Sequence, residues 1–233
     1  ESDNASIRKR YEEHLEQWEG RRTQFREELK KANAVIDLLH ERWLAGETEA
    51  VEYFCEAVLT ASEYPAYFPK SWALHYSRAN RTISIDYTLP KPEELPTLKK
   101  VVVEKCELEL TWSEAKEITS ANCKAGLKNI NLSHKEVGRL YENVVYQTTL
   151  RTIHELFHSD TANAIDTIIL KGYVTSADKA DAQKTNNCVV TLQISKHEWN
   201  SIDLQSVEPK KCFKVLGGIV HRKFFEPFDK SDR

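Results

Sequence analysis

The chain has 233 residues, of which 30% are charged and 40% hydrophobic, with a formal net charge of -3. That length suits one large domain or two small ones, and the composition is that of a soluble globular protein with a highly polar surface. The near-balanced charge gives no global pull toward nucleic acid or anionic membrane, and no apolar run approaches the ~20 residues of a membrane span.

From the N-terminus, ESDNASIRKR does not read as a signal peptide. A heptad pattern follows. Leu15, Arg22, Leu29, Ile36 and Trp43 stand seven apart, and Tyr11, Trp18, Phe25, Ala32 and Leu39 form a second series three residues after the a positions. This is an a/d seam over about five heptads, broken only by Arg22 and flanked by charged residues such as Glu12, Glu19, Arg26 and Glu28. The pattern predicts a coiled-coil helix over residues 1–46, self-associating or folding back on another helix. The bulky Trp18, Phe25 and Trp43 also suit an amphipathic helix packed on its own domain.

Gly46 ends that helix, and an α+β domain is expected over residues 47–233. It opens with a short helix carrying Val51, Phe54, Cys55, Val58 and Leu59 on one face, then a loop, SEYPAYFPKS, with two prolines. Alternation at Trp72, Leu74 and Tyr76, a turn at RANR, and alternation again at Ile83, Ile85, Tyr87 and Leu89 predict a hairpin. PKPEELP is a rigid loop, and TLKKVVVEKCELELTW is one long strand or a pair. Residues 113–132 are weakly patterned and are expected to form a mobile segment or a sub-boundary. Ser133 with Glu136 makes a capping box for a helix running to about His158. Strands at AIDTIILKGYV and CVVTLQIS flank a polar loop, and two short helices follow, the second around PKKCFKVL. The order predicts an α+β fold, with a mostly antiparallel sheet packed on a central helix and a protruding coiled coil.

The five cysteines (Cys55, Cys106, Cys123, Cys188 and Cys212) are scattered and never form C-x-x-C. This favours a reducing, cytoplasmic setting over a disulfide framework or a thiolate zinc site. The N-glycosylation matches at Asn4, Asn80 and Asn131 are then chance. The chain starts at Glu1 and contains no methionine, where average usage gives about five. The alternatives are a fragment of a longer protein, or a sequence from which selenomethionine positions have dropped out, so that some neighbours here are not true neighbours.

The motif richest in chemistry is TIHELFHSD, with His154, Glu155 and His158 in the order H-E-x-x-H. On a helix this spacing places two imidazoles on one face with a carboxylate beside them, as in zinc peptidases. At about 100° per residue, however, Glu136, Asn143, Gln147, Arg151, His154 and His158 share one sector, and Val144, Val145, Ile153, Leu156 and Phe157 lie outside it. The histidines thus continue a polar stripe. A zinc site also needs a third ligand some twenty or more residues downstream; Asp178 and Asp181 are candidates by distance, but they lie in a polar loop after a strand.

Other catalytic patterns are weaker. G-x-S-x-G, the phosphate-binding G-x-x-x-x-G-K-[ST] and G-x-G-x-x-G are absent. A magnesium-dependent nuclease needs an acid on one strand and E-x-K on the next. Asp86 with Glu104 and Lys105 lacks the spacing, and Glu208-Pro-Lys210 starts a helix without a partner acid. A basic cluster of Lys210, Lys211, Lys214, His221, Arg222 and Lys223 is a candidate nucleic-acid contact, with Phe213, Phe224 and Phe225 near it for stacking. The alternative is a solvated helix face with its apolar residues turned inward.

Three stretches carry a family resemblance. They are AVEYFCEAVLTASEYPAYFPKSWALHYSRANRTISIDYTLP, LYENVVYQTTLRTIHELFHSDTANAIDTIILKGYV and CVVTLQISKHEWNSIDLQSVEPKKCFKVLGG, together most of residues 44–217. In order and spacing they resemble the region preceding the nuclease domain in bacterial Mrr-type restriction endonucleases, the restriction system proteins. The specific pieces are YP…FP, DYTLP, LRTIHELF, AID before a strand, and V-x-P-K-x-C-F. In that family the position matching His158 is usually acidic, so the resemblance makes H-E-x-x-H a local variation. It implies a separate PD-(D/E)xK nuclease domain after this region, which would use Mg²⁺. None of that domain's motif residues occur here, so no catalytic or metal residue is carried over.

The expectation is a non-catalytic region that holds subunits together as a cytoplasmic homo-oligomer, presents or regulates a defence nuclease, and contacts DNA through Lys210, Lys211, Lys214, Arg222 and Lys223. It predicts no cofactor in this chain and no membrane partner. The alternatives are a zinc-dependent hydrolase built on His154, Glu155 and His158, and a pure protein-interaction module.

Overall fold

The structure is a computed structural model that describes residues 2–103, 106–110, 127–177, 184–203 and 208–221. Helix α1, Ser2–Leu44, carries the heptads as one uninterrupted element. It ends at Gly46, whose φ of 65° only a residue without Cβ adopts freely. Gly46 N–H bonds Trp43 O and Glu47 N–H bonds Arg42 O, which closes the last turn as a Schellman cap. The Arg42 guanidinium then reaches Glu47 at 2.6 Å and Glu49 at 3.0 Å, fixing the elbow into helix α2, Thr48–Ala61.

The hairpin forms as expected from alternation: β1, Trp72–Ser77, pairs antiparallel with β2, Thr82–Thr88, in the register Trp72↔Tyr87. After a 3-10 turn at Pro92–Glu94, β3 (Leu98–Val103) pairs antiparallel with both β4 (Cys106–Leu110) and β5 (Leu127–Asn131). The long apolar stretch is thus a pair of strands in a small three-stranded sheet, with the order β4-β3-β5. β5 corrects part of the expectation for residues 113–132, since 127–131 are a strand; residues 111–126 lie outside the described residues.

Helix α3, His134–Ser159, starts at the capping box: Ser133 Oγ accepts from the Glu136 N–H, and the Glu136 carboxylate accepts from the Ser133 N–H. Lys99 Nζ on β3 lies 2.6 Å from the same carboxylate. β6 (Thr167–Ala177) and β7 (Lys184–Ser195) extend further into the expected polar loop than their apolar cores require, and they pair antiparallel. Helices α4 (Lys196–Asn200) and α5 (Pro209–Val215) and the short β8 (Ile219–Val220) complete the chain. The main sheet has the order β1-β2-β6-β7-β8, with β2 and β6 parallel and the other pairs antiparallel.

Alternation decides which sheet face is covered. Tyr76, Ile83, Ile85, Ile168, Leu170, Leu192 and Ile194 are buried, while Asp86 and Lys171, neighbours in register, are exposed on the other face. Against the apolar face lie Val51, Cys55 and Leu59 of α2 and Val145, Ile153, Leu156 and Phe157 of α3, in one continuous core. Trp43, 7% exposed, stacks on Phe54 at 4.3 Å, so the last turn of α1 joins that core. Among the described residues, no helix is long and apolar enough to cross a membrane.

Candidate functional site: an exposed helical seam and a face of α3

Along α1 the seam is open. Tyr11, Leu15, Trp18, Phe25, Leu29 and Ile36 are between 41% and 66% exposed, although they form the longest apolar series in the sequence. Arg22, the polar interruption, lies with its guanidinium carbon 5.2 Å from the centroid of the Trp18 ring, so its charge folds onto an aromatic face within the seam. Near the domain the apolar surface widens, with Val35, Leu38 and Leu44 also exposed.

The second feature is the stripe on α3. Asn143, Gln147, Arg151, His154 and His158 are exposed, and Val145, Ile153, Leu156 and Phe157 are buried, as helical phase predicts, whereas Glu136 and Val144 are both half-buried. The rings of His154 and His158 stack with centroids 5.4 Å apart. Glu155 does not sit with them. Its Oε1 accepts from Ser62 Oγ at 3.0 Å and from Arg151 Nε at 2.7 Å, and its buried Oε2 makes no hydrogen bond. A general base for a metal-bound water would have to face the histidines, and this carboxylate is engaged with the C-cap of α2 instead. Among the described residues, no three His, Cys, Asp or Glu side chains converge on one point. Asp178 and Asp181 lie outside the described residues.

Asp160, just after α3, is fully buried, and sequence reasoning did not single it out. It accepts from the N–H groups of Ala164 and Ile165 at 3.0 Å and from Lys196 Nζ at 2.9 Å, while Lys196 also reaches Asn163 Oδ1. The AID piece before β6 is thus half of a knot that ties α3, β6 and α4 together.

The basic cluster is partly neutralised. Lys210 pairs with Glu142 and Lys211 with Glu208, both at 2.7 Å, whereas Lys214 is exposed. Arg222, Lys223, Phe224 and Phe225 lie outside the described residues. Phe213 is wholly buried beside Tyr146, so it has no face for stacking a base, in line with the alternative of a solvated helix face with its apolar residues turned inward. Of the nuclease-like acids, Asp86 is exposed on the open sheet face and Glu208 stands at the N-cap position of α5; Glu104 and Lys105 lie outside the described residues.

A cleft of about 520 Å³ opens between the 64–68 loop, α3 and the start of α5. Its aromatic wall is a ladder: Tyr64 and Phe68 stack at 5.1 Å, and Tyr67 leans on Phe68 at 5.3 Å. On Tyr64 rests the Arg151 guanidinium, 4.5 Å from the ring centroid. The phenol oxygen of Tyr64 is buried close to Thr152 and Ser62, and burial, the largest cause, pushes its pKa up. Gln147 and His154 stand at the rim, on either side of Arg151 along α3. Three features of the sequence meet in this cleft: the YP…FP loop, the polar stripe of α3 and the P-K-x-C-F piece. Compared with protein-family models, with curated proteins and with solved structures, the chain shows no significant match.

Proposed function

We propose that this chain is a non-catalytic assembly and recognition region of an Mrr-like restriction system protein, acting in the cytoplasm as a homo-oligomer joined through α1. The observation that carries the assembly reading is the uncovered seam. A helix of 43 residues spans about 65 Å at 1.5 Å per residue, and a helix standing in water draws little stability from propensity alone. The described residues of the domain close their own core with Trp43 alone of the heptad residues. A second copy of α1 offers the matching a/d stripe, and knobs-into-holes packing would bury Leu15, Trp18, Phe25, Leu29 and Ile36 together.

The family part of the reading rests on the quoted sequence pieces. It places DNA cleavage and its Mg²⁺ in a nuclease domain of the parent protein, with this region holding and presenting it. DNA contact here is the weaker element, because Lys210 and Lys211 already answer to Glu142 and Glu208.

Light scattering on the purified chain tests the assembly reading. The particle mass is expected at two or more times 26.9 kDa. Trp18→Glu, Phe25→Glu and Leu29→Glu combined are expected to return it to one chain with the domain still folded. A wild-type particle of one chain across the micromolar range overturns the reading.

A further inference from the structure

The cleft beside α3 has the makings of a small-molecule site. At about 520 Å³ it falls within the ~300–1,000 Å³ typical of ligand pockets. One wall is the ladder of Tyr64, Phe68 and Tyr67, in which Tyr64 and Phe68 are inclined by only 17°. Near-parallel rings beside an apolar slot favour a flat aromatic guest over a branched aliphatic one.

Arg151 supplies the charge. Its guanidinium is held on one face by Tyr64, and its Nε is committed to Glu155 at 2.7 Å. Those two contacts fix the plane of the fork. The hydrogen bonds among the described residues engage only Nε, and the side chain is 46% exposed. An arginine clamped in this way presents its Nη groups as a preformed double donor, the geometry that meets a phosphate or carboxylate bidentately. A surface arginine free to rotate would lose more entropy on binding.

The rim adds two polar groups at helical spacing. Gln147, four residues before Arg151, offers an amide with a donor and an acceptor, the pair that reads the edge of a purine or pyrimidine. His154, three residues after it, offers a further ring nitrogen beside the guanidinium. An aromatic slot, an amide at its edge and a clamped guanidinium at its mouth match one chemical class. We infer that this cleft binds a nucleoside phosphate, with the base against Tyr67 and Phe68, its edge on Gln147, and the phosphate on Arg151. The inference stands apart from the assembly reading, since no residue of α1 lines the cleft.

Calorimetric titration of the full chain with adenosine, guanosine, cytidine and uridine monophosphates tests it, alongside the nucleosides, inorganic phosphate and a short 5′-phosphorylated single strand. At least one monophosphate, or the strand, is expected to bind saturably with a Kd below about 1 mM. The nucleoside and phosphate alone should bind about tenfold more weakly or worse, because each supplies half of the contact. Tyr67→Ala, Gln147→Ala and Arg151→Lys should each weaken binding by about tenfold. Tyr67 and Gln147 are exposed, so their variants are expected to melt like the wild type. Binding of free monophosphates with this residue dependence makes the free nucleotide the ligand. Binding of the strand alone with the same dependence makes a strand terminus the source of the same chemistry. Saturable binding of neither up to about 5 mM, or binding indifferent to Tyr67→Ala and Arg151→Lys, overturns the inference.

Discussion

Single side chains hold the parts of this molecule at defined points, and Glu136 shows how. Its carboxylate accepts from Lys99 Nζ across from β3 and from the Ser133 side chain and backbone at the start of α3. These partners, Lys99 first, lower its pKa from the ordinary carboxylate value to about 2. The sign of the linkage follows. A group that ionises more readily in the folded state contributes stability above its unfolded pKa, and loses it as pH falls through the folded one. Thermal melts of the wild type and Glu136→Gln should therefore differ most above about pH 5, with the wild type the more stable. The gap should close as pH falls toward about 2. A gap that stays constant from pH 7 to pH 2 would show that the carboxylate's charge is not what matters. The capping half of this arrangement was legible in the sequence as Ser133 and Glu136 three apart. Lys99 was not, because nothing in a linear pattern brings β3 to the N-terminus of α3.

At the scale of elements, α3 organises the domain. Its inner face meets the main sheet and α2, and Ile153 and Leu156 are wholly buried there. Leu156→Ala removes three heavy atoms from a packed interior and should cost about 2–5 kcal/mol, read from urea unfolding. His154→Ala, two residues away on the exposed side, should cost much less, and equal losses would mean that the two faces are assigned wrongly. The orientation of this helix could be read in advance because its apolar residues keep a 3.6 period over 26 residues. The hairpin of β1 and β2 was equally legible from strict alternation around RANR. β5 was not: LKNIN is five residues long with two apolar side chains, too little to separate a strand from a loop. The parallel pairing of β2 with β6 was also hidden. It depends on a crossover of more than seventy residues, and local pattern carries no information at that range. The cleft was hidden for the same reason, since its wall, floor and rim come from residues 64–68, 144–154 and 209–212.

For the whole molecule the decisive relation is between α1 and the rest. The heptads predict a coiled-coil helix over residues 1–46 or an amphipathic helix packed on its own domain, and at its end Trp43 stacks on Phe54 and Arg42 binds Glu47 and Glu49. The last turn of α1 therefore belongs energetically to the domain, while the seam before it touches solvent. Removal of residues 1–38 keeps this anchoring turn and deletes Tyr11, Leu15, Trp18, Phe25, Leu29 and Ile36, all exposed. The truncated chain should still unfold in one cooperative step, because no buried residue of the core is lost. Its melting temperature should not vary with protein concentration. The full chain should behave differently if two copies join through α1. Association stabilises the folded state by mass action, so its melting temperature should rise with concentration, by an amount set by the affinity of the seam. Differential scanning calorimetry of both proteins over a hundredfold range of concentration separates the cases. A full chain as insensitive to concentration as the truncated one would mean that α1 does not drive assembly. A truncated chain without a cooperative transition would mean that the domain needs more of α1 than the turn around Trp43.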